Sequence, residues 1–283
     1  MHVVSRLVLV TSLASAVALA QDGGVPKVIS PFPTDAQCLA LGSIKQPLSF
    51  GPGESLEFDL DALGAKAGTM TMRVLPQRDG LLPIEVHAKT NTFFSKVRRV
   101  DGTGTSYLWP KTLRPQRYYE DAHENEWHRV ADVTFRKNKT AKLVSTINGQ
   151  TSQAELTYGN DVTDVAGAIF LMRQLELTEG KRLCFDVYGI RRIWRVWGTV
   201  QPKEHVSLPV GEFDTWHLAG EAARHDWQDA RRDIHVWITA DERRLPIAAL
   251  GSIDLGAVRA TLTSYTRPGD KAAKAENKGN LKW

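Results

Sequence analysis

Beyond its first twenty residues this chain has no long apolar run. Nothing there approaches the roughly 20 consecutive apolar residues that a membrane-spanning helix requires. Cysteine is scarce: Cys38 and Cys184 are the pair in 283 residues, so any cysteine nucleophile would have to be one of these two. A G-x-S-x-G elbow is missing, which removes the usual way of presenting a serine nucleophile. Gly102-Thr103-Gly104-Thr105 lacks the third glycine and the following helix of a dinucleotide site and is read as a turn. Neither charge dominates: 36 Lys and Arg stand against 32 Asp and Glu, and a net charge of +4 calls for no nucleic-acid partner. No repeat of fixed period is visible, and no residue set calls for a cofactor.

What is present begins with a targeting signature. Arg6 precedes an apolar run from Leu7 to Leu19, and Ala18-Leu19-Ala20 has the small-x-small form that signal peptidase accepts. The run is too short for a membrane anchor, so the reading is a cleaved signal peptide (residues 1–20) and a soluble periplasmic or secreted protein. In an oxidising compartment Cys38 and Cys184 are expected to form a disulfide, worth ~5 kcal/mol in the chain-entropy model. Two buried free thiols are the alternative.

Residues 21–50, rich in Pro and Gly, read as an N-terminal arm, residues 51–266 as a β-rich domain, and residues 267–283 as a disordered basic tail. Within the domain, apolar and polar residues alternate with period two. Met70, Met72 and Val74 share one strand face, as do Ile84, Val86 and Ala88; Leu183, Phe185 and Val187; Ile234, Val236 and Ile238; and Val258, Ala260 and Leu262. Turn material separates such runs at Arg78-Asp79-Gly80, Asp101-Gly102-Thr103-Gly104, Asn148-Gly149 and Ala240-Asp241-Glu242, and Asn148-Gly149 is a strong hairpin signal. One segment has helical spacing: Val165, Ala168, Ile169, Met172 and Leu175, with Thr163 or Asp161 as the start cap and Gly180 beyond the end. The predicted fold is mainly β: a large curved antiparallel sheet of a dozen or so strands forming an incomplete or flattened β-barrel. One α-helix packs against it and covers its apolar face.

An ordered series of short signatures points to one family. It runs Gly53-Glu54-Ser55-Leu56-Glu57-Phe58, Ala67-Gly68, Leu113-Arg114-Pro115, Asp164 with Leu171-Met172-Arg173 and Gly180, and Gly211-Glu212-Phe213-Asp214. It continues through Val236-Trp237-Ile238-Thr239-Ala240-Asp241 and Arg244-Leu245-Pro246-Ile247 to Gly256 and Leu262. From about Pro52 to Tyr265 the chain resembles the uncharacterised bacterial exported family called Domain of Unknown Function 3108. The resemblance implies an envelope protein with an incomplete barrel and a helix beside the sheet, similar in outline to periplasmic lipid-handling half-barrels. It implies no established activity and no catalytic residues. The arm carrying Cys38 and the basic tail depart from that pattern. Several of the signature residues also have plain physical readings: bends at Gly68 and Gly256, a bulged strand at Pro246, and Arg173 facing the helix dipole.

The remaining candidates are few. His123 and His128 lie five apart, which puts them about 140° apart on a helix and on opposite faces of a strand, so no metal site is expected there. His217 with Asp214 and His225 with Asp226 are possible base–carboxylate pairs, but strand geometry opposes the first and solvation explains the second. The segment Arg191-Arg192-Ile193-Trp194-Arg195-Val196-Trp197 carries an aromatic and a cation on each face. Arg192, Trp194, Arg195 and Trp197, with the flexible Met172, are therefore the expected contacts of an amphiphilic ligand; arginine stems lying over packed tryptophans are the plainer alternative. The functional expectation is a non-enzymatic binding protein for an amphiphile or envelope component. A structural envelope protein with a solid core and a hydrolase acting on envelope material are the alternatives.

Overall fold

Sixteen strands and one α-helix make up the architecture of the computed structural model, which describes residues 31–38, 43–253 and 256–268. The predicted signal peptide, parts of the arm, and all of the basic tail beyond Pro268 lie outside the described residues.

The first half of the sheet is β1 (Ser55–Ala62), β2 (Ala65–Val74), β3 (Leu82–Thr90), β4 (Val100–Leu108), β5 (Pro115–Glu124), β6 (Trp127–Phe135), β7 (Thr140–Ile147) and β8 (Gln150–Thr157). After β9 (Val162–Asp164) and helix α1 (Val165–Gln174) come β10 (Arg182–Gly189), β11 (Arg192–Val200), β12 (Glu204–Leu208), β13 (Gly211–Arg224), β14 (Arg231–Thr239), β15 (Pro246–Ile253) and β16 (Gly256–Thr266). The spatial order is β8-β7-β6-β5-β4-β3-β2-β1-β16-β15-β14-β13-β11-β10-β9, with β12 paired to β13. Chain neighbours pair as a meander except at β8–β9, which do not pair, and at β12, which β11 passes over to pair with β13, and one long-range pairing, β1 with β16, joins the two halves. All pairings are antiparallel except β9 with β10, so the sheet is mixed at that edge rather than wholly antiparallel.

The sheet does not close through hydrogen bonds between β8 and β9. It rolls far enough for its ends to meet through side chains. Tyr118 of β5 and Phe135 of β6 meet Tyr188 of β10, at ring separations of 5.6 and 6.4 Å. Ala131, Val133, Leu143 and Ile193 complete this second core. The main core fills the trough: Leu56, Ile84, Leu108, Phe170 and Leu171 are all 0–1% exposed. Burial of a residue such as Phe170 contributes ~1.5–3 kcal/mol.

Three local features differ from the sequence reading. The segment Asp101–Gly104, expected as a turn, lies inside β4. Its glycines are there for close approach: a Cβ at Gly102 would fall 2.8 Å from the Cβ of Ala122, and one at Gly104 would fall 2.4 Å from the Tyr118 hydroxyl, both on β5. The helix is capped by neither Asp161 nor Thr163. Asp164 accepts from the Gly167 N–H at 2.8 Å, because Val162, Thr163 and Asp164 itself form β9 and the helix starts only after them. Its buried face is also not the expected stripe. Val165 is exposed, while Phe170, Leu171, Met172, Arg173 and Gln174 are buried, since the curled sheet surrounds the second half of the helix.

Other readings hold. Asn148 and Gly149 connect β7 to β8 with φ of 47° and 83°, the two left-handed residues that a type I′ hairpin needs. A register shift occurs in the β1–β2 pairing next to Gly68, and another in the β14–β15 pairing next to Pro246.

Candidate functional site: a half-open pocket at the end of the helix

The C-terminal end of α1 leaves carbonyl groups without partners in the helix, and the surrounding chain supplies them. The Lys45 N–H donates to Gln174 O at 2.9 Å, and Arg244 Nη2 donates to Leu175 O at 2.8 Å. The Gln174 side-chain oxygen accepts from the Ser49 N–H at 2.9 Å and the Ser49 hydroxyl at 2.6 Å, and its amide nitrogen donates to Lys45 O at 3.0 Å, which holds residues 45–49 across the helix end. Arg173, 1% exposed, does more than face the helix dipole. It forms a two-pronged ion pair with the buried Glu54, donates to Arg243 O, and lies over the rings of Phe50 and Phe170 at 4.7 and 5.1 Å.

These tethers frame a half-open cavity of about 900 Å³ between the helix end, residues 43–49, β13 and the β14–β15 turn. Leu48, Leu177 and Trp216 are part of its apolar lining, and Lys45, Lys203, Arg244 and Arg267 join the ion-paired Arg173 as its cations. Lys203 Nζ sits 4.7 Å over the Trp216 ring. Burial pulls the Arg244 guanidinium below its usual range, with Asp241 opposing the shift. Asp241, Glu242 and Glu176 add carboxylates to the lining, so the pocket is mixed in sign with an aromatic wall. Sequence reasoning missed it because its lining comes from distant segments that no local pattern connects.

The five residues expected to meet a ligand are not brought together. Met172 lies in the main core. Arg192 is exposed and pairs with Asp226 at 3.2 Å. Trp194 is half-buried and donates to Gly189 O at 3.3 Å. Arg195 and Trp197 are buried beneath the protein's own arm. Cys38 and Cys184 form the disulfide. Next to it Arg195 donates to Asp186 (3.0 and 3.3 Å), to Pro33 O (2.7 Å) and to Asp35 (2.5 Å). Phe32 lies 5.3 Å from the Arg195 guanidinium and edge-on to Trp197, so an aromatic of the arm packs against both. Burial would raise the Asp186 carboxyl, but hydrogen bonds from His225, Arg195 and the Gly159 N–H more than offset it and hold the group below the usual carboxylate range.

The histidines also fall out differently from their sequence neighbours. Asp214 bonds His205 at 3.0 Å, while His217 lies 2.9 Å from His235, 3.4 Å from Glu204, and stacked 4.4 Å from Trp237. Burial holds His217 below its usual value, a pull that His235 reinforces and Glu204 opposes. His225 bonds Asp186 at 2.9 Å, and Asp226 is taken by Arg224. Among the described residues, each of the two histidines has a carboxylate neighbour, Glu204 or Asp186, and no nucleophile joins either pair. His123 and His128 do share a face, contrary to the spacing argument. A turn at Asn125-Glu126 makes them directly opposed partners on β5 and β6, stacked at 4.2 Å beside Asp121. The argument failed because it placed both on one continuous element.

The class is thus an open, β-barrel-like sheet wrapped around a single helix. Over residues 57–263 the sequence matches Protein of unknown function (DUF3108), and the chain belongs to that family. Among solved structures, it is similar to a β-barrel-like protein of Domain of Unknown Function DUF1849 from Brucella abortus. That likeness has a TM-score of 0.53 at 10% identity and covers 77% of this chain and 98% of that one. A putative exported protein with YmcC-like fold from Bacteroides fragilis matches with a TM-score of 0.31 at 10% identity, over 77% and 99% of the two chains. A putative lipoprotein from Parabacteroides distasonis matches with a TM-score of 0.31 at 9% identity, over 77% and 98%. No curated protein matches the chain.

Proposed function

We propose that the chain is an extracytoplasmic, non-enzymatic binding protein for an amphiphile or envelope component, seated in the pocket at the end of α1. The Cys38–Cys184 disulfide supports an oxidising compartment. No helix among the described residues is long and apolar enough to cross a membrane. The observation that carries the reading is the cavity of about 900 Å³ with the Trp216–Lys203 pair at its wall. Its size is within the range of small-molecule sites, and an apolar wall with cations at the rim suits an acyl or aromatic body bearing an anionic head. The trough beneath the helix is filled by Phe170 and Leu171, so binding is assigned to the mouth and not to a continuous cavity between sheet and helix.

That filled trough also favours a second reading, a structural envelope protein with a solid core. Native mass spectrometry and lipid extraction of protein purified from the periplasm separate the two. The binding reading expects a co-purifying species that is lost from the Trp216→Ala, Lys203→Glu double variant while the fold is retained. A protein that carries nothing, and whose tryptophan fluorescence ignores anionic detergent below its micelle concentration, would leave only the structural reading.

A further inference from the structure

The outer face of the β5–β6 hairpin carries a row of polar residues set by register. His123 and His128 are direct cross-strand partners, and Asp121 lies two residues before His123 on the same face of β5. His128 Nε2 is 2.8 Å from Asp121 Oδ1, and the two imidazoles lie parallel within 3° at 4.2 Å. One donor atom from each of Asp121, His123 and His128 lies within 4.8 Å of the other two. On β4, Asp101 stands directly opposite His123, held by His87 at 2.8 Å and Lys89 at 2.9 Å.

We propose that Asp121, His123 and His128 form a binding site for a divalent transition-metal ion. Two imidazoles and a carboxylate are a donor set suited to Zn²⁺, Cu²⁺ or Ni²⁺ and poor for Mg²⁺ or Ca²⁺, which take oxygen ligands. A tetrahedral ion with ligands about 2.0–2.1 Å away needs donor atoms roughly 3.3 Å apart, so small side-chain rotations suffice. All three side chains are exposed, and the ion would take the place of the Asp121–His128 hydrogen bond. The backbone holds the set in place: Asn125 at the turn adopts φ of 51°, its side chain accepts from the Arg99 N–H, and its N–H donates to Arg99 O. Open coordination positions face solvent, so the ion could also be shared with a further ligand. The site is independent of the pocket at the end of α1.

The test is calorimetric titration of the full chain with Zn²⁺ and with Cu²⁺ in a non-chelating buffer, repeated with Mg²⁺. One saturable site is expected for the first two ions and none for Mg²⁺. Loss of an outer hydrogen-bond partner already weakens metal sites about 10–100-fold. His123→Ala and His128→Ala should each weaken binding at least tenfold, and Asp121→Asn should weaken it by a smaller factor. The His217→Ala, His235→Ala variant removes the other close histidine pair and should bind as the parent does. In the Cu²⁺ complex, electron paramagnetic resonance should show two nitrogen ligands, falling to one in either single histidine variant. The proposal is overturned if no saturable binding is seen, or if affinity survives His123→Ala, His128→Ala and falls instead in the His217, His235 variant. Circular dichroism confirms that each variant is folded, which exposed positions on a hairpin should allow.

Discussion

Asp164→Asn tests whether burial, rather than charge, governs the start of the helix that frames the pocket. The Asp164 side chain is 0% exposed, accepts from the Gly167 N–H at 2.8 Å and from the Ser106 hydroxyl at 2.5 Å. Burial pushes its carboxyl up to about 6, against the opposing pull of hydrogen bonds from Ser106, Gly167 and Ala166. An acid whose folded value exceeds its unfolded value of roughly 3.9 stabilises the fold fully below pH ~4 and loses that contribution as pH rises through ~6. The loss is about 2 units at 1.36 kcal/mol each, close to 3 kcal/mol in total and ~2 kcal/mol between pH 4 and 7.5. Asparagine caps helices as well as aspartate does, and its amide can donate to Ser106 Oγ, so the substitution removes the titration and keeps the cap. Urea unfolding at pH 4 and 7.5 should therefore show Asp164→Asn gaining ~2 kcal/mol on the parent as pH rises, with all other titrating groups cancelling in the difference. A variant that loses stability equally at both pH values would show that the carboxylate is ionised in the fold and acts as a charged cap.

The remaining predictions concern the arm and the buried ion pairs. Replacing both Cys38 and Cys184 by serine frees a loop spanning a sequence separation of 146 residues and should cost ~5 kcal/mol, or roughly 10–20 °C in Tm by scanning calorimetry; a change under 2 °C would refute the entropic account. Arg173→Met leaves the carboxylate of Glu54 buried without its partner and should cost about 3–5 kcal/mol in chemical denaturation. The paired Glu54→Leu, Arg173→Met variant should recover most of that, and a double variant worse than the single would contradict the desolvation argument. Because Asp186 is held below its unfolded value, its contribution is present above pH ~4 and lost as pH falls through the folded value. Asp186→Asn should flatten the acid limb of the stability profile and speed proteolysis of the arm near Asp35, both measurable against the parent; an unchanged acid limb would remove Asp186 from the account.

How much of this was legible before folding varies by element. Period-two alternation located β2, β3, β10, β14 and β16, because a strand with one buried face writes that burial into its own sequence. The Asn148-Gly149 hairpin and the helix core were equally local. β4 was hidden: Gly102 and Gly104 read as a turn by composition, yet they sit mid-strand to admit Ala122 and Tyr118 from the neighbouring strand. The buried Arg173 and Gln174 broke the expected amphipathic stripe, since their partners Glu54 and Ser49 lie more than a hundred residues away in the chain.

By itself, then, the sequence determined most of the strand content and the position of the helix. These follow from periodicity, turn chemistry and residue type, which are properties of neighbours along the chain. Only the tertiary structure decided which charged and aromatic groups meet. It placed Phe32 over Arg195, His225 on Asp186, His123 against His128, and Trp216 at the mouth of the cavity. The reason is the register of a rolled sheet: it brings together residues from separate strands, and no short stretch of sequence records that register.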